Sequence, residues 1–274
     1  MKKELYPRLA ACGVSWKIVE LIERFGWIEP RELPVSANER RRYERALDMP
    51  DTPDAWTIAD EDFPERLRTI PDPVYALFYR GDRTLLQKPS ISIIGSRHPS
   101  QDVSSRLTFL KPLFEAPIAT VSGGAYGIDS YVHRLSLKHR QPTIAVLANG
   151  IGHSYPRAHL PLFERISETG LLLSEYPMFT TPSKHQFLAR NRIISALSGV
   201  LVILEAKRKS GTMNTAGHAL AQGKDIYCLP GCPTNPCFSG TNQLIAEGAF
   251  PLLNPSELVK SILMSVDKQE DTTL

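Results

Sequence analysis

The sequence predicts an α/β protein: a doubly wound, mostly parallel sheet preceded by a small all-helical domain. Three observations carry this. From Ser90 onward, short apolar runs alternate with stretches of helical spacing, the pattern of successive βαβ units. One of those runs, Val200-Leu-Val-Ile-Leu204, has no polar face, as expected of a strand covered on both sides. Before the alternation begins, Leu9, Val14, Ile18, Leu21, Ile22 and Phe25 recur every three or four residues, with Gly13, Gly26 and Pro30 as punctuation.

In chain order, residues 1–47 are expected to form the helical module. Its run Glu39-Arg40-Arg41-Arg42-Tyr43-Glu44-Arg45 reads as a solvated helix face before it reads as a nucleic-acid contact, because two acids interleave the arginines. Residues 48–89, rich in Pro, Asp and Thr, form a connector with a short helix around Phe63–Leu67 and a strand at Val74–Tyr79. The main domain spans 90–255. Its expected strands are Ile91–Ile94, Ile118–Ser122, Thr143–Leu147, Leu171–Ser174, Val200–Leu204 and Asp225–Leu229. Helices are expected near 101–114, 128–139, 158–168, 186–197, 212–222 and 240–247. Residues 256–274 supply a last helix, Ser256–Met264, and a polar tail from Asp267 expected to be disordered; there is no internal repeat and too little chain for a winged helix.

Composition narrows the classes of function. A formal net charge of +3 permits a polyanion ligand, but requires its binding site to be a local concentration of cations. No apolar stretch approaches a membrane span, and Met1-Lys-Lys-Glu-Leu5 leads into no apolar leader core, so a cytoplasmic protein without membrane insertion is expected. Cys12, Cys228, Cys232 and Cys237 lack paired metal-ligand spacing and are read as structural or incidental thiols, with no disulfide framework and no metal. No cofactor is expected.

Chemistry in an open α/β sheet gathers beyond the carboxyl ends of the strands. The first such turn, Gly95-Ser96-Arg97, offers close backbone approach, a hydroxyl and a guanidinium fork suited to phosphate; a Gly-Ser turn capping a helix is equally ordinary. The second, Ser122-Gly123-Gly124-Ala125-Tyr126-Gly127-Ile128-Asp129, is a glycine loop whose amides can face an anion. Its spacing is not G-x-G-x-x-G, and the third strand ends in Ala148-Asn149-Gly150 with no acid for a ribose, which disfavours a dinucleotide dehydrogenase. Asp129 and His133 read as a hydrogen-bonded structural pair, and His153 as a loop histidine without a visible partner.

The stretch from Lys184 to Thr215 is the densest. Lys184 and Phe187 lie one helical turn apart, so a cation for phosphate and a ring for a base can face one side. Arg190, Asn191 and Arg192 interrupt an otherwise apolar helix; beyond the strand come Glu205, Lys207, Arg208, Lys209 and the helix-opening Ser210-Gly211-Thr212. Cations, a ring and a small-residue turn suggest a polyanion with bases attached.

As an ordered series these segments resemble DNA-processing protein A, the DprA/Smf family of recombination mediators, over about residues 90–255. The series is ISIIGSR at 91–97, SGGAYGID at 122–129 with His133, TIAVLANGI at 143–151 with Tyr155-Pro156, and SEYP at 174–177. It continues with Phe187 and RNRIISALS at 190–198, EAKRKSGT at 205–212, ALAQGKDIYCLPG at 219–231 and GTNQLIAEGA at 240–249. The resemblance implies a Rossmann-like domain with a SAM or helix-hairpin module before it, and a non-catalytic protein that binds single-stranded DNA, forms a homodimer and helps load the RecA recombinase during natural transformation. It implies DNA contacts from Ser96, Arg97, Ser122, Gly123, Gly124, Lys184, Phe187, Arg190, Asn191 and Arg192, extended by Lys207, Arg208, Ser210, Gly211 and Thr212. Two departures are Gly150-Ile151-Gly152-His153-Ser154, where the family has Gly followed by Leu-Asp, and Val132 in place of Ala; neither touches the anion-binding residues.

Two alternatives come from the related lysine-decarboxylase-like group. A phosphoribohydrolase needs a carboxylate shortly after its Gly-Thr turn, but Gly211-Thr212 is followed by Met213-Asn214-Thr215; Glu175 and Glu205 stand outside that motif. A nucleotide sensor without turnover would need fewer cations than this chain gathers.

Overall fold

The computed structural model describes residues 2–49 and 54–271; residues 50–53 of the connector and 272–274 of the polar tail lie outside it. The described strands are β1 Trp56–Thr57, β2 Ala76–Gly81, β3 Ser90–Ile94, β4 Ala119–Ser122, β5 Thr143–Leu147, β6 Leu171–Ser174, β7 Val200–Ile203, β8 Asp225–Cys228 and β9 Phe250–Pro251. They form one sheet in the order β1-β2-β6-β5-β4-β3-β7-β8-β9. All neighbours from β6 to β9 are parallel, and β2 and β1 close one edge antiparallel.

The helices are α1 Lys2–Ala11, α2 Trp16–Phe25, α3 Ala37–Leu47, α4 Glu65–Arg68, α5 Val103–Phe109 and α6 Lys111–Glu115. They continue as α7 Ile128–Lys138, α8 Leu160–Thr169, α9 Lys184–Ala196, α10 Gly211–Ala221, α11 Ser239–Ala246 and α12 Pro255–Asp271. Strand alternation divides the core. Leu201 and Ile203 of β7 face one layer with Ile193 and Ile194 of α9 and Ala216 and Ala219 of α10. Val202 and Leu204 face the other, with Phe114, Ile128, Val132 and Leu258. This is why the run at 200–204 needs no polar face.

The winding direction reverses at one place. The chain steps outward from β3 through β4 and β5 to β6, then returns to lay β7 on the opposite side of β3. The carboxyl ends of β3 and β7 therefore flank the crevice that such sheets use for ligands.

The helical module shares its core with the sheet edge. Tyr6, Leu9, Ile18, Ile22 and Tyr43 pack with Tyr75, Ala76 and Phe78, and the Tyr75 hydroxyl donates to the Val14 carbonyl at 2.7 Å. Burial pushes the Tyr75 phenol far above its ordinary value, so it stays a donor. Ser36 and Glu39 form a reciprocal capping box at the start of α3.

Three details differ from the sequence expectation. The helix expected at 101–114 is two helices, because Pro112 supplies no N–H and its ring opposes continuation; it sits instead in the first turn of α6. The two-residue strands β1 and β9 are too short to carry a period. The last helix runs past Met264 to Asp271, through the start of the tail expected to be disordered.

Candidate nucleic-acid interface

Beyond β3 and β7 lies a groove of about 410 Å³, walled by the Gly95–His98 turn, the outer face of α9 and the first turn of α10. Arg97, Lys184, Phe187, Asn191, Lys207, Ser210, Gly211 and Thr212 line it together. Residues more than a hundred positions apart thus meet because β3 and β7 are neighbours.

Arg97 is exposed, and its guanidinium lies over the Phe187 ring with Cζ 5.0 Å from the centroid. Phe187 is half-buried, and Tyr155 tilts against it at 5.6 Å between centroids. Lys184 is exposed in the first turn of α9, where a cation opposes the helix dipole. No acid stands in the first turn of α10, and Ser210 does not cap that helix: its hydroxyl donates to the Lys207 carbonyl at 2.8 Å. The leading amides of α10 open on the groove beside Lys207, a combination suited to an anion. Thr212 Oγ1 donates to the Gly95 carbonyl at 3.1 Å and fastens this helix to the β3 turn.

Other expected contacts are engaged by the scaffold, although Ser96 and Arg190 also reach the groove lining. The Ser96 hydroxyl folds back on the His98 backbone, accepting from its N–H at 3.1 Å. The Ser122 hydroxyl donates to the Ile93 carbonyl at 2.7 Å inside the sheet. Arg190 Nη1 donates to the carbonyls of Gly123, at 2.6 Å, and Val146. His159 Nδ1 sits 3.0 Å from the Gly124 carbonyl. At Gly123 an added Cβ would stand 2.3 Å from Arg190 Nη1, so any larger residue there must displace the guanidinium. At Gly127, with φ +74°, a Cβ would meet the Ser96 carbonyl at 2.3 Å. The glycine loop and the β3 turn are therefore packed against each other, rather than held open.

Arg190, Asn191 and Arg192, consecutive in sequence, diverge by about 100° per residue around α9. Arg190 is 3% exposed, and burial lowers it to about 10 while neighbouring Asp129 opposes that shift. Burial raises the Asp129 carboxyl, with Arg190 as the main opposing influence. Asn191 Nδ2 donates to Asn214 Oδ1 at 3.1 Å and to the Gly211 carbonyl at 3.3 Å. Arg192 turns away from the groove: it grips both oxygens of Glu175 at 2.6 Å and reaches Asp72 at 2.9 Å. Arg208 is exposed, and its backbone N–H donates to Ser239 Oγ at 3.3 Å, outside the groove lining.

The acids that could serve a hydrolase are engaged. Glu205 is fully buried and accepts from the Ser100 N–H and hydroxyl, each at 2.9 Å, and from Arg106 at 2.7 Å. It holds the segment after Arg97 in place. Glu175 belongs to Arg192. Cys228 is buried, Cys232 is exposed, and among the described residues no group of His, Cys, Asp or Glu is placed to hold a metal ion.

Tyr155, His98, Ala125 and Asp129 also border this region, though the sequence analysis assigned them no contact. An aromatic in a glycine-rich loop at a strand end was the available sign for Tyr155.

The profile of the family described as DNA recombination-mediator protein A matches residues 54–263. The chain belongs to this family. It is 38% identical over 209 residues to DNA processing protein DprA of Bacillus subtilis, covering 75% of this chain and 70% of that one. It is 38% identical over 216 residues to Protein Smf of Synechocystis, of which it spans 54%. Among solved structures, DprA from Streptococcus pneumoniae superposes with a TM-score of 0.82 at 29% identity, covering 92% of this chain and 95% of that one. DNA processing protein A from Helicobacter pylori, described for its single-stranded DNA binding mode, superposes with a TM-score of 0.69 at 32% identity, covering 77% and 96%. Family membership and the shared fold make the family's DprA-like sheet and N-terminal helices the frame for the groove. Among the described residues no helix is long and apolar enough to cross a membrane.

Proposed function

We propose that this chain binds single-stranded DNA in the groove between β3 and β7 and acts, without catalysis of its own, as a mediator that delivers the strand to a RecA-type recombinase. The single observation that carries the reading is the convergence of Arg97, Lys184 and Lys207 around Phe187 and the uncapped start of α10. Cations take phosphates and a ring takes a base; together they suit a strand whose bases are free to stack. In this reading Ser96, Arg97, Lys184, Phe187, Lys207 and the Ser210-Gly211-Thr212 turn touch DNA, while Ser122, Gly123, Gly124, Arg190 and Asn191 shape the surface they stand on. Arg192 and Arg208 contribute from outside the groove, the first by holding α9 in position.

The same reading takes 1–47 as a helical module, 90–255 as the DNA-binding domain and the working form as a homodimer in the cytoplasm. The engagement of Glu175 and Glu205 in ion pairs supports a non-catalytic role. The test is a salt titration of binding to a fluorescent single strand, with matching duplex and a mononucleotide as competitors. Three phosphate contacts give a log–log slope of about −2, at roughly −0.7 each on single strands. Full competition by the mononucleotide would assign the groove to a small ligand instead.

A further inference from the structure

Outside the groove, charge is distributed unevenly over the surface. Between Gly123 and Phe163 the sequence holds one acid, Asp129, which is 7% exposed and accepts from the Ala125 N–H. Arg134, Lys138, Arg140 and Arg157 in the same stretch are all exposed, and among the described residues no acid pairs with any of them. Tyr131, Arg134 and Lys138 follow one another at helical spacing and form an outward stripe of α7, while Val132, His133 and Ser136 are buried. Glu115, an exposed acid bonded to this end of α7, is shared between Lys111 at 3.1 Å and His139 at 3.7 Å. Along the chain, acids return only at Glu164 in α8. Arg134 and Lys138 are moreover a like-charged pair four residues apart, an arrangement that costs a helix stability unless an anion lies across it.

We propose that the outer face of α7 is a second contact surface for the single strand, taking the phosphates of the length that leaves the groove past Tyr126. The proposal rests on the single-strand reading of the groove. Continuity with the groove selects this occupant. Tyr126 is 49% exposed and borders a narrow cleft together with Arg97, and α7 begins two residues after it. Its ring meets His159 edge-on at 4.9 Å, in the short turn Arg157–His159 that also carries the exposed Arg157. A strand crossing Tyr126 therefore meets Arg157 and then the stripe of α7, which extends for about 10 Å from Tyr131 to Lys138. Two exposed tyrosines among unpaired cations suit a strand with unstacked bases; an acidic peptide would use the cations and leave the rings idle. The groove fixes where the strand enters, and α7 adds phosphate contacts that are indifferent to sequence.

The experiment measures, by fluorescence anisotropy, the salt dependence of binding to a hexamer and to a 20-mer of mixed sequence, for the full chain and for its Arg134→Ser/Lys138→Ser/Arg157→Ser variant. The hexamer should show the groove's log–log slope of about −2. The 20-mer should show about −4, because Arg134, Lys138 and Arg157 add three phosphate contacts at roughly −0.7 each. The variant should return the 20-mer to about −2 and leave hexamer affinity within about twofold. One strand spanning two copies of the chain would also steepen the slope, so the variant decides and not the length. If the triple variant does not fold, each single serine variant should flatten the 20-mer slope by about 0.7. An unchanged 20-mer slope in the variants would overturn the proposal with the groove intact, and leave this face to an acidic protein partner. Binding of neither strand by the unaltered chain would overturn the single-strand reading and this proposal with it.

Discussion

The Arg97 guanidinium rests over the Phe187 ring at 5.0 Å, joining the end of β3 to the outer face of α9 across the winding reversal. The cation and the ring are therefore one unit. Arg97→Ala should flatten the log–log salt slope by about 0.7, and Phe187→Ala should weaken strand binding by about 1–3 kcal/mol. Because the ring also positions the guanidinium, the double substitution should lose less than the sum, by about 0.5–1 kcal/mol. Anisotropy titrations of the four proteins measure this; strict additivity would show two independent contacts.

Lys184 opposes the dipole of α9, and among the described residues no acid pairs with it, so its value lies outside the folded scaffold. Lys184→Glu should nearly abolish strand binding while leaving thermal stability equal or higher, by about 0.3–1 kcal/mol. Paired anisotropy and melting curves read both, and a large fall in stability would reassign Lys184 to the scaffold.

Arg192 should behave in the opposite way. With Arg192 7% exposed in its ion pairs, Arg192→Ala leaves Glu175 without its partner and should destabilise the protein by roughly 3–5 kcal/mol. Affinity per folded molecule, measured well below the melting temperature, should change by less than about twofold, as for a residue that makes no direct contact.

A methyl group at Gly123 must displace the Arg190 guanidinium from 2.3 Å. Gly123→Ala should therefore lose about 1–3 kcal/mol in urea unfolding, the scale of overpacking a filled site. A neutral result would mean that Arg190 has an alternative seat.

His133 gives acid sensitivity a definite sign. Burial lowers it to about 3 from an ordinary 6.5, and its Nδ1 lies 2.8 Å from Thr143 Oγ1. Between those values the unfolded chain holds a proton that the folded one refuses. Its contribution is complete above about pH 6.5 and is lost as pH falls toward 3, by up to about 1.4 kcal/mol per unit. Urea unfolding at pH 7, 6 and 5 should show that slope, and His133→Asn should remove it.

The periodicities that identify an element are local, which is why β3 to β8 and the helices between them, except the one that Pro112 divides into α5 and α6, were legible in the sequence to within a residue or two. Sequence also marked Arg97, Lys184, Phe187, Lys207 and the Ser210-Gly211-Thr212 turn, because strand-end turns and a cation one helical turn from a ring are local patterns. What it could not decide was which polar side chains face a ligand and which are engaged by the scaffold. Arg190, Asn191 and Arg192 form one polar block in the sequence, yet helical rotation sends Arg190 to the Gly123 carbonyl, Asn191 to α10 and Arg192 to Glu175. The partners lie 67, 23 and 17 positions away, so no local pattern names them. Sequence determined which chemistry the chain carries to the sheet's carboxyl edge; the tertiary fold decided its direction, because each hydrogen-bonding group serves whichever partner the packed chain brings within reach.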